Sequence, residues 1–424
     1  MNEKKGPDFL RKHLAEKRIR VLMRYRYYDM KNGVNYHRTL IPTEFMWMAQ
    51  TLGWCAKAVD SLSDRLAFRE FKNDDFRLTE IFRENNPDIL PDSAMKAALI
   101  GSCSFIYISQ GEKGEPRMEV VDGSNATGVA DTATGMLKEG YAVLSRNDNG
   151  APNLEAYFLP YRTEYYQGGK LVRVRDHFAP YPLLVPVIYK PDAVRPFGHS
   201  RITRSCMSLM QSAARTVFRS EVTAELFSWP QKWITGLSPE GENEDWEDEE
   251  EEGENKGGGF DANRATMSTF LSFESDDQGN SPKLGQFDQQ SMGPHIEQLR
   301  MFAALFSGET GLTMDDLGFV TDNPSSAEAI KASHENLRLA ARKAQRHFGS
   351  GFLNAGFLAA CIRDDFEYSR AAFAGTRTAW EPVFEPDAAM LSGIGDGAVK
   401  LNQAVPGYFG KNNLRDLTGI EPES

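Results

Sequence analysis

The segment from Met292 to Phe348 most constrains the fold, because its helix boundaries can be read from single residues. Pro294 stands where proline is favoured, at the first position of a helix, and Gly308 is of the residue type that commonly ends one. Ser325 and Glu328 have the spacing of a capping box, in which each side chain bonds the other residue's backbone amide at a helix start. The sequence therefore predicts a helix, a loop and a second helix, in this order.

The loop between these helices, residues 309–325, is longer than most connections in compact domains. It contains three aspartates, one glutamate and no lysine or arginine. Two interpretations are open: a functional loop, or an ordinary helix connection that buries a few apolar side chains. The candidate loop residues are Leu312, Thr313, Met314, Asp315, Asp316, Leu317 and Phe319.

The net charge of −12 comes almost entirely from one acidic segment. Residues 242–254 contain ten carboxylates and no basic residue, so the rest of the chain has a net charge of −2. This balance excludes a globally basic nucleic-acid-binding protein. The segment is either a disordered surface loop or a docking element for a partner, in which Trp246, Glu247 and Asp248 are the candidate contacts.

The rest of the chain alternates between helical and β-rich regions. Short β-rich segments between residues 99 and 177 follow the first helices, which predicts an α+β domain with an antiparallel sheet over residues 1–195. Two further strands are predicted on either side of the acidic segment, at residues 231–235 and 268–273. The predicted helices span residues 7–30, 43–68, 198–227, 294–308 and 325–361, the last with a kink at Gly349-Ser350-Gly351, and residues 386–405.

Enzyme motifs are missing from the sequence. It has no phosphate-binding glycine loop of an ATPase and no nucleophile elbow of a hydrolase. The histidines are dispersed and the four cysteines match no metal-binding spacing, so no metal or cofactor is predicted. The acidic pairs Asp315-Asp316 and Asp364-Asp365 leave a metal-dependent nucleic-acid enzyme as an alternative.

The apolar stretches are too short to span a bilayer, and the N-terminus lacks the apolar region of a secretion signal. We therefore expect a protein that does not associate with membranes. The widely spaced cysteines indicate reduced thiols in a cytosolic setting.

Three stretches resemble the portal proteins of long-tailed bacteriophages. Arg24-Tyr25-Arg26-Tyr27-Tyr28-Asp29, followed by Asn32-Gly33, is similar to a Tyr-Tyr-Asp-Gly pattern after the family's first helix. Residues 56–66 are similar to the helix before its first sheet. The third and most specific stretch runs from Phe306 through Asn323-Pro324-Ser325-Ser326-Ala327-Glu328 to Ile330.

The resemblance implies a portal-type fold in a ring of about twelve subunits. In this fold, an α/β wing is followed by a two-helix stem, a small α/β clip, a long kinked helix and a small C-terminal crown. The implied boundaries are wing 1–195, stem helix 196–227, clip 228–291 with a disordered acidic loop 241–259, stem helix 292–308, tunnel loop 309–325, long helix and wing return 326–385, and crown 386–424.

The resemblance also implies a structural role without enzymatic activity. The ring would form the channel at the capsid vertex for packaging and ejection of double-stranded DNA, without sequence specificity. Its implied partners are the packaging terminase, the head-tail adaptor, and the capsid and scaffold proteins. Assembly would take place in the host cytoplasm. A ring or scaffold protein without a DNA tunnel is a further alternative.

Two groups of residues receive roles from the resemblance. Loop 309–325 would line the narrowest point of the channel, where an acidic surface lets DNA slide because it repels phosphates. The basic residues of the following helix would contact a neighbouring subunit or face the DNA, and a solvated helix face is the alternative. These basic residues are Lys331, Arg338, Arg342, Lys343 and Arg346.

Overall fold

The structure, a computed structural model, describes residues 4–33, 43–111, 114–227, 232–235, 283–286, 290–319, 332–384, 386 and 388–420. The α-helices are α1 Gly6–Tyr28, α2 Trp54–Ser63, α3 Leu78–Glu84, α4 Ile89–Gly101, α5 Arg204–Phe227, α6 Gly293–Thr310, α7 Glu335–Arg363, α8 Ala388–Ala404 and α9 Lys411–Thr418. Short 3-10 helices span Thr43–Met48, Asp315–Leu317 and Arg370–Phe373.

All strand pairs of the described residues are antiparallel. The strand bounds are β1 Phe68–Lys72, β2 Cys103–Gln110, β3 Pro116–Asp122, β4 Ala126–Ala130, β5 Leu137–Arg146, β6 Pro152–Leu159, β7 Arg162–Gln167, β8 Lys170–Asp176, β9 Leu184–Ile188, β10 Lys232–Thr235, β11 Lys283–Gln286 and β12 Arg377–Trp380. Strands β4 to β8 form a five-stranded sheet in sequence order, whereas β2 lies between β3 and the distant β9, and β1 pairs with the distant β12. Helices combined with antiparallel sheets confirm the predicted α+β class.

The chain divides into two compact units. The first comprises residues 1–35, 51–212 and 302–424, and the second comprises residues 36–50 and 213–301. In the second unit, β10 and β11 form an antiparallel pair. The same unit contains side-chain contacts between α5 and α6, including a 3.1 Å hydrogen bond from Thr216 Oγ1 to Gln298 Oε1. The predicted acidic loop 241–259 and the predicted strand at 268–273 lie outside the described residues.

Two buried carboxylates attach α1 to the five-stranded sheet. Glu139 accepts hydrogen bonds from the backbone amides of Lys5 and Gly6, at 2.9 and 3.1 Å, where the helix dipole favours negative charge. Burial alone would raise the pKa of Glu139, but these amides and the Tyr157 hydroxyl more than offset burial and lower the pKa. Glu155 pairs similarly with the Arg11 guanidinium, with Nε to Oε1 at 2.9 Å.

Helix α7 passes through the core of the first unit. Its side chains are almost continuously buried from Phe348 to Ile362. The helix is uninterrupted at the glycines where we predicted a kink, and these glycines allow close packing instead. A Cβ atom at Gly349 would lie 2.3 Å from Thr378 Oγ1, and one at Gly351 would lie 3.2 Å from the carbonyl oxygen of Pro186.

One helix prediction was wrong. Residues 43–68 do not form a single helix: the 3-10 helix Thr43–Met48 ends before α2 begins at Trp54, and β1 begins at Phe68. The glycine at position 53 lies directly before α2, and Phe68 pairs with Trp380 of β12 in the sheet. This long-range strand pairing outweighs the local helical periodicity.

Candidate functional site

The candidate site begins where α6 ends. We predicted a helix end at Gly308, but α6 continues to Thr310. Gly311 has a φ of +72°, the left-handed conformation that glycine adopts at helix ends, and its amide donates to the Ser307 carbonyl at 2.8 Å. The loop therefore starts two residues later than the sequence indicated.

The next residues form a capping box that the sequence analysis overlooked. The Asp316 carboxylate accepts hydrogen bonds from both the amide and the hydroxyl of Thr313, each at 2.9 Å. In return, the Thr313 hydroxyl oxygen accepts from the Asp316 amide at 3.1 Å. This reciprocal arrangement satisfies amides at the start of the 3-10 helix Asp315–Leu317, as a capping box does for an α-helix.

The same turn ends at Gly318, which has left-handed backbone. The Gly318 amide donates to the Asp315 carbonyl at 3.0 Å, and the Phe319 amide donates to the Met314 carbonyl at 3.1 Å. These two bonds have the pattern of a Schellman motif, which ends a helical turn. Residues 313–319 are therefore a turn bonded at both ends, which we call the capped turn.

The capped turn divides the predicted loop residues into inward and outward groups. Leu312 is buried, and Met314, Leu317 and Phe319 are half-buried. The Asp316 side chain is 18% exposed and is bonded within the turn. Asp315 is exposed, and the described part of the chain provides no side-chain hydrogen bond to it. Residues 320–331 lie outside the described residues, and with them Lys331 and the predicted Ser325–Glu328 capping box.

A buried arginine holds the end of α6 in place. Arg201 is 7% exposed, and its guanidinium donates to the carbonyl of Thr310 and to that of Ala58, both at 2.7 Å. Thr310 is the last residue of α6, where helix carbonyls lack helical partners and carry partial negative charge. Sequence reasoning missed this contact, because the three residues are far apart in the chain.

His334 lies between the capped turn and the start of α7. Its Nδ1 atom is 4.0 Å from Asp316 Oδ2 and has no hydrogen-bond partner among the described residues. The ring centroid of His334 is 6.0 Å from that of Phe384, and the Arg65 guanidinium lies over the same phenyl ring at 5.0 Å. His334 therefore lies between the capped turn and the stacked pair of Phe384 and Arg65, which come from distant parts of the chain.

The predicted basic residues occupy different environments on α7. Arg338 forms an ion pair with Glu335 at 2.6 Å, one turn away. Arg342, Lys343 and Arg346 are exposed. Burial, and next the charges of Lys343 and Arg346, lower the pKa of His347 and so favour its neutral form.

The structure also locates the remaining candidate groups. The Asp364 carboxylate accepts hydrogen bonds from Arg363 at 2.8 and 2.7 Å, and neighbouring Asp365 has left-handed backbone with a φ of +47°. Within the described ranges, no group of three or more His, Cys, Asp or Glu side chains is placed to hold a metal ion. No helix within those ranges is both long and apolar enough to cross a membrane. The candidate docking residues Trp246, Glu247 and Asp248 lie outside the described residues.

Comparison with known proteins identifies the family. The family described as "Phage portal protein, SPP1 Gp6-like" matches residues 8–369, which is most of the chain. The chain belongs to this phage portal family. It is therefore a structural portal subunit, a component of the head-tail connector of a virion.

Individual relatives agree with this assignment. The portal protein of Mycobacterium phage L5 is 26% identical over 346 residues, covering 78% of this chain and 68% of the relative. The portal protein of Mycobacterium phage D29 is 26% identical over 350 residues, covering 78% and 69%. Among solved structures, a chain from the "Neck of native GTA particle computed with C12 symmetry" has a TM-score of 0.44 and 12% identity, covering 90% of this chain and 94% of that one.

Proposed function

We propose that copies of this chain form a ring at the capsid vertex, and that the ring's central channel conducts double-stranded DNA during packaging and ejection. Its implied subdivision is wing 1–195, stem helices 196–227 and 292–308, clip 228–291 and crown 386–424. The packaging motor and the head-tail adaptor dock on this ring, which is embedded among capsid and scaffold proteins. The match to the portal family over residues 8–369 carries the proposal.

The capped turn supports a role for loop 309–325 at the channel. A loop that guides a moving duplex must be held in place at one end. The capping box at Asp316 and the contact of Arg201 with Thr310 hold this loop at its start. Each lysine or arginine that neutralised a phosphate would add affinity and hold the duplex in place. The exposed charge in the capped turn is the carboxylate of Asp315, which repels phosphate.

The exposed basic residues of α7 fit a different position in the ring. Arg342, Lys343 and Arg346 are exposed and form no ion pair with a carboxylate of the described residues, so this helix surface is positive. Facing the channel, such a surface would bind phosphates and slow the duplex. We assign these residues to contacts with carboxylates of a neighbouring subunit.

Charge reversal at Asp315 tests the channel assignment. We expect Asp315→Lys to reduce the DNA content of assembled particles several-fold, because a ring of added ammonium groups binds phosphates. Asp315→Asn is the matched control and should package close to the wild-type amount. Light scattering of the purified subunits checks that rings still form, since Asp315 is exposed and bonds no described side chain.

Two results would contradict the assignment. Wild-type DNA content with Asp315→Lys would show that this residue does not meet the duplex. Loss of ring assembly with the same variant would place Asp315 at a subunit interface instead of the channel.

A further inference from the structure

A pocket with four basic side chains is lined by residues between positions 14 and 198. Its volume is about 450 Å³, and its walls are α1, the α4–β2 connection, the β3–β4 turn and residues 194–198. Lys17, Arg20 and Arg24 reach it from one face of α1, because they are three and four residues apart along the helix. Arg195 completes the basic group from the facing loop.

The positive charge of this pocket is not neutralised by the described residues of its walls. None of the side chains that line it within the described ranges is a carboxylate. Burial lowers the pKa of Lys17, and burial followed by the charges of Arg20 and Arg195 lowers the pKa of Arg24. These shifts have the direction expected of cations that repel one another in a partly desolvated space. A bound anion would relieve both effects.

Two carboxylates in the loops that flank the pocket are bonded within those loops, and Glu16 on α1, whose charge partly offsets that of its neighbour Lys17, is exposed. Asp122 accepts hydrogen bonds from the Ser124 amide at 2.7 Å and from Asn125 Nδ2 at 2.8 Å, within its own turn. Asp192 accepts from the Arg195 amide at 2.6 Å and pairs with His199 Nε2 at 2.6 Å. Both carboxylates therefore stabilise the pocket's walls. Among the cations, Arg24 donates to the Gly101 carbonyl at 2.9 Å, which leaves its remaining N–H groups for a ligand.

The pocket also offers apolar surface beside the cations. Val194 in the lining is 87% exposed, and the Phe197 ring in the same lining is half-buried. The Lys17 ammonium lies 5.5 Å from the centroid of the Phe197 ring, and that ring packs 6.1 Å from Phe105. A ligand that fits this surface must carry both negative charge and an apolar group.

The walls are held rigidly before any ligand arrives. Gly198 has a φ of +71°, and a Cβ atom there would lie 2.0 Å from the carbonyl oxygen of Tyr189. The His199 amide donates to the same carbonyl at 2.9 Å, which fixes the loop that carries Arg195 and Phe197. A preformed pocket loses little conformational entropy on binding.

We propose that this pocket docks an acidic peptide segment of a protein partner, with carboxylates on Lys17, Arg20, Arg24 and Arg195 and an aromatic or aliphatic side chain against Phe197 and Val194. Its volume lies in the usual range of preformed binding pockets. A DNA duplex would supply negative charge but no apolar group to cover Val194, so the observations favour a peptide. The inference is independent of the channel proposal, and each can fail without the other.

A peptide-binding experiment tests the proposal on the full-length chain. The probe is a fluorescently labelled synthetic peptide with the sequence of residues 242–254, in which ten carboxylates surround a tryptophan. Binding is followed by fluorescence anisotropy at low ionic strength. In every protein compared, the ten carboxylates of the chain's own residues 242–254 are changed to amides, so that this segment does not compete with the probe.

Matched double variants separate the pocket from the overall charge of α1. Lys17→Glu with Arg20→Glu changes two pocket cations, whereas Lys12→Glu with Arg26→Glu makes the same charge change at exposed positions outside the pocket. We expect the pocket variant to bind at least about tenfold more weakly and the control to stay within about twofold of wild type. Arg20→Glu alone, at an exposed position, preserves the fold and should weaken binding about threefold.

Three outcomes would overturn the proposal. Equal weakening by both double variants would reduce the effect to overall charge. Undiminished binding of a peptide with all ten carboxylates changed to amides would remove the electrostatic basis. Binding of a short DNA duplex that the pocket variant abolishes, without any binding of the acidic peptide, would assign the pocket to nucleic acid instead.

Discussion

Replacing Asp316 by alanine should open the capped turn while leaving the rest of the fold intact. The carboxylate of Asp316 accepts two hydrogen bonds from Thr313 and lies 4.0 Å from His334. Alanine removes both acceptors, so the Thr313 amide loses its partner in a half-buried position. The reciprocal bond from the residue 316 amide to the Thr313 hydroxyl would remain.

The expected loss of stability in the turn depends on how exposed the Asp316 carboxylate and the Thr313 amide are. Loss of a capping side chain costs roughly 0.5–2 kcal/mol, and a buried donor left unsatisfied costs about 1–3 kcal/mol. Because the Asp316 side chain is 18% exposed, water compensates part of this loss. We expect the turn to open about 1–2 kcal/mol more easily, which corresponds to hydrogen exchange about five to thirty times faster.

Hydrogen exchange measured by mass spectrometry on peptides covering residues 311–319 provides the assay. Asp315→Ala is the matched control, because Asp315 is exposed and should leave exchange unchanged. Thr313→Val removes the other half of the box and should accelerate exchange to a similar extent. If Asp316→Ala and Asp315→Ala exchange at the same rate, the capping box does not hold the turn.

Other predictions concern the packing of the first unit. Glu155→Gln should lower the free energy of unfolding by about 2 kcal/mol, a value reduced because Arg11 is partly exposed. Glu119 is exposed, so Glu119→Gln should change the free energy of unfolding little, and denaturant titration compares the two variants. Burial alone would raise the pKa of Asp416, but its bonds to Lys72 lower it below the usual 3.8. The ion pair of Asp416 with Lys72 therefore stabilises α9 above pH 4, and this stabilisation is lost as the pH falls further. Comparing the rate of limited proteolysis of α9 at pH 3 and pH 7 measures the loss. The four buried thiols should resist alkylation until the chain unfolds.

Local signals in the sequence predicted helix α6 and the loop that begins after it. Pro294 and Gly308 indicate the ends of α6, and a loop without lysine or arginine follows; each of these signals involves only a few neighbouring residues. The Thr313–Asp316 box was equally readable as a motif. It does not stand out as a helix start, because no apolar helical run follows it, as one does after Ser325 and Glu328.

The remaining features depend on contacts between distant residues. Arg201 bonds carbonyls that are 143 and 109 residues away in the chain, so no local pattern indicates its role. The pocket at Lys17 likewise needs α1 to meet residues 194–198, which only the folded chain brings together. The single helix predicted over residues 43–68 failed for the same reason, because Phe68 pairs with Trp380.

Electron microscopy of the purified chain tests the central claim most directly. We expect closed rings of about twelve subunits with a central opening wide enough to admit a DNA duplex, because a portal subunit buries part of its helical surface against its neighbours. Light scattering of the same sample should give a mass that is a multiple of 47.5 kDa. A stable monomer at high protein concentration, or rings without a central opening, would contradict the proposed channel.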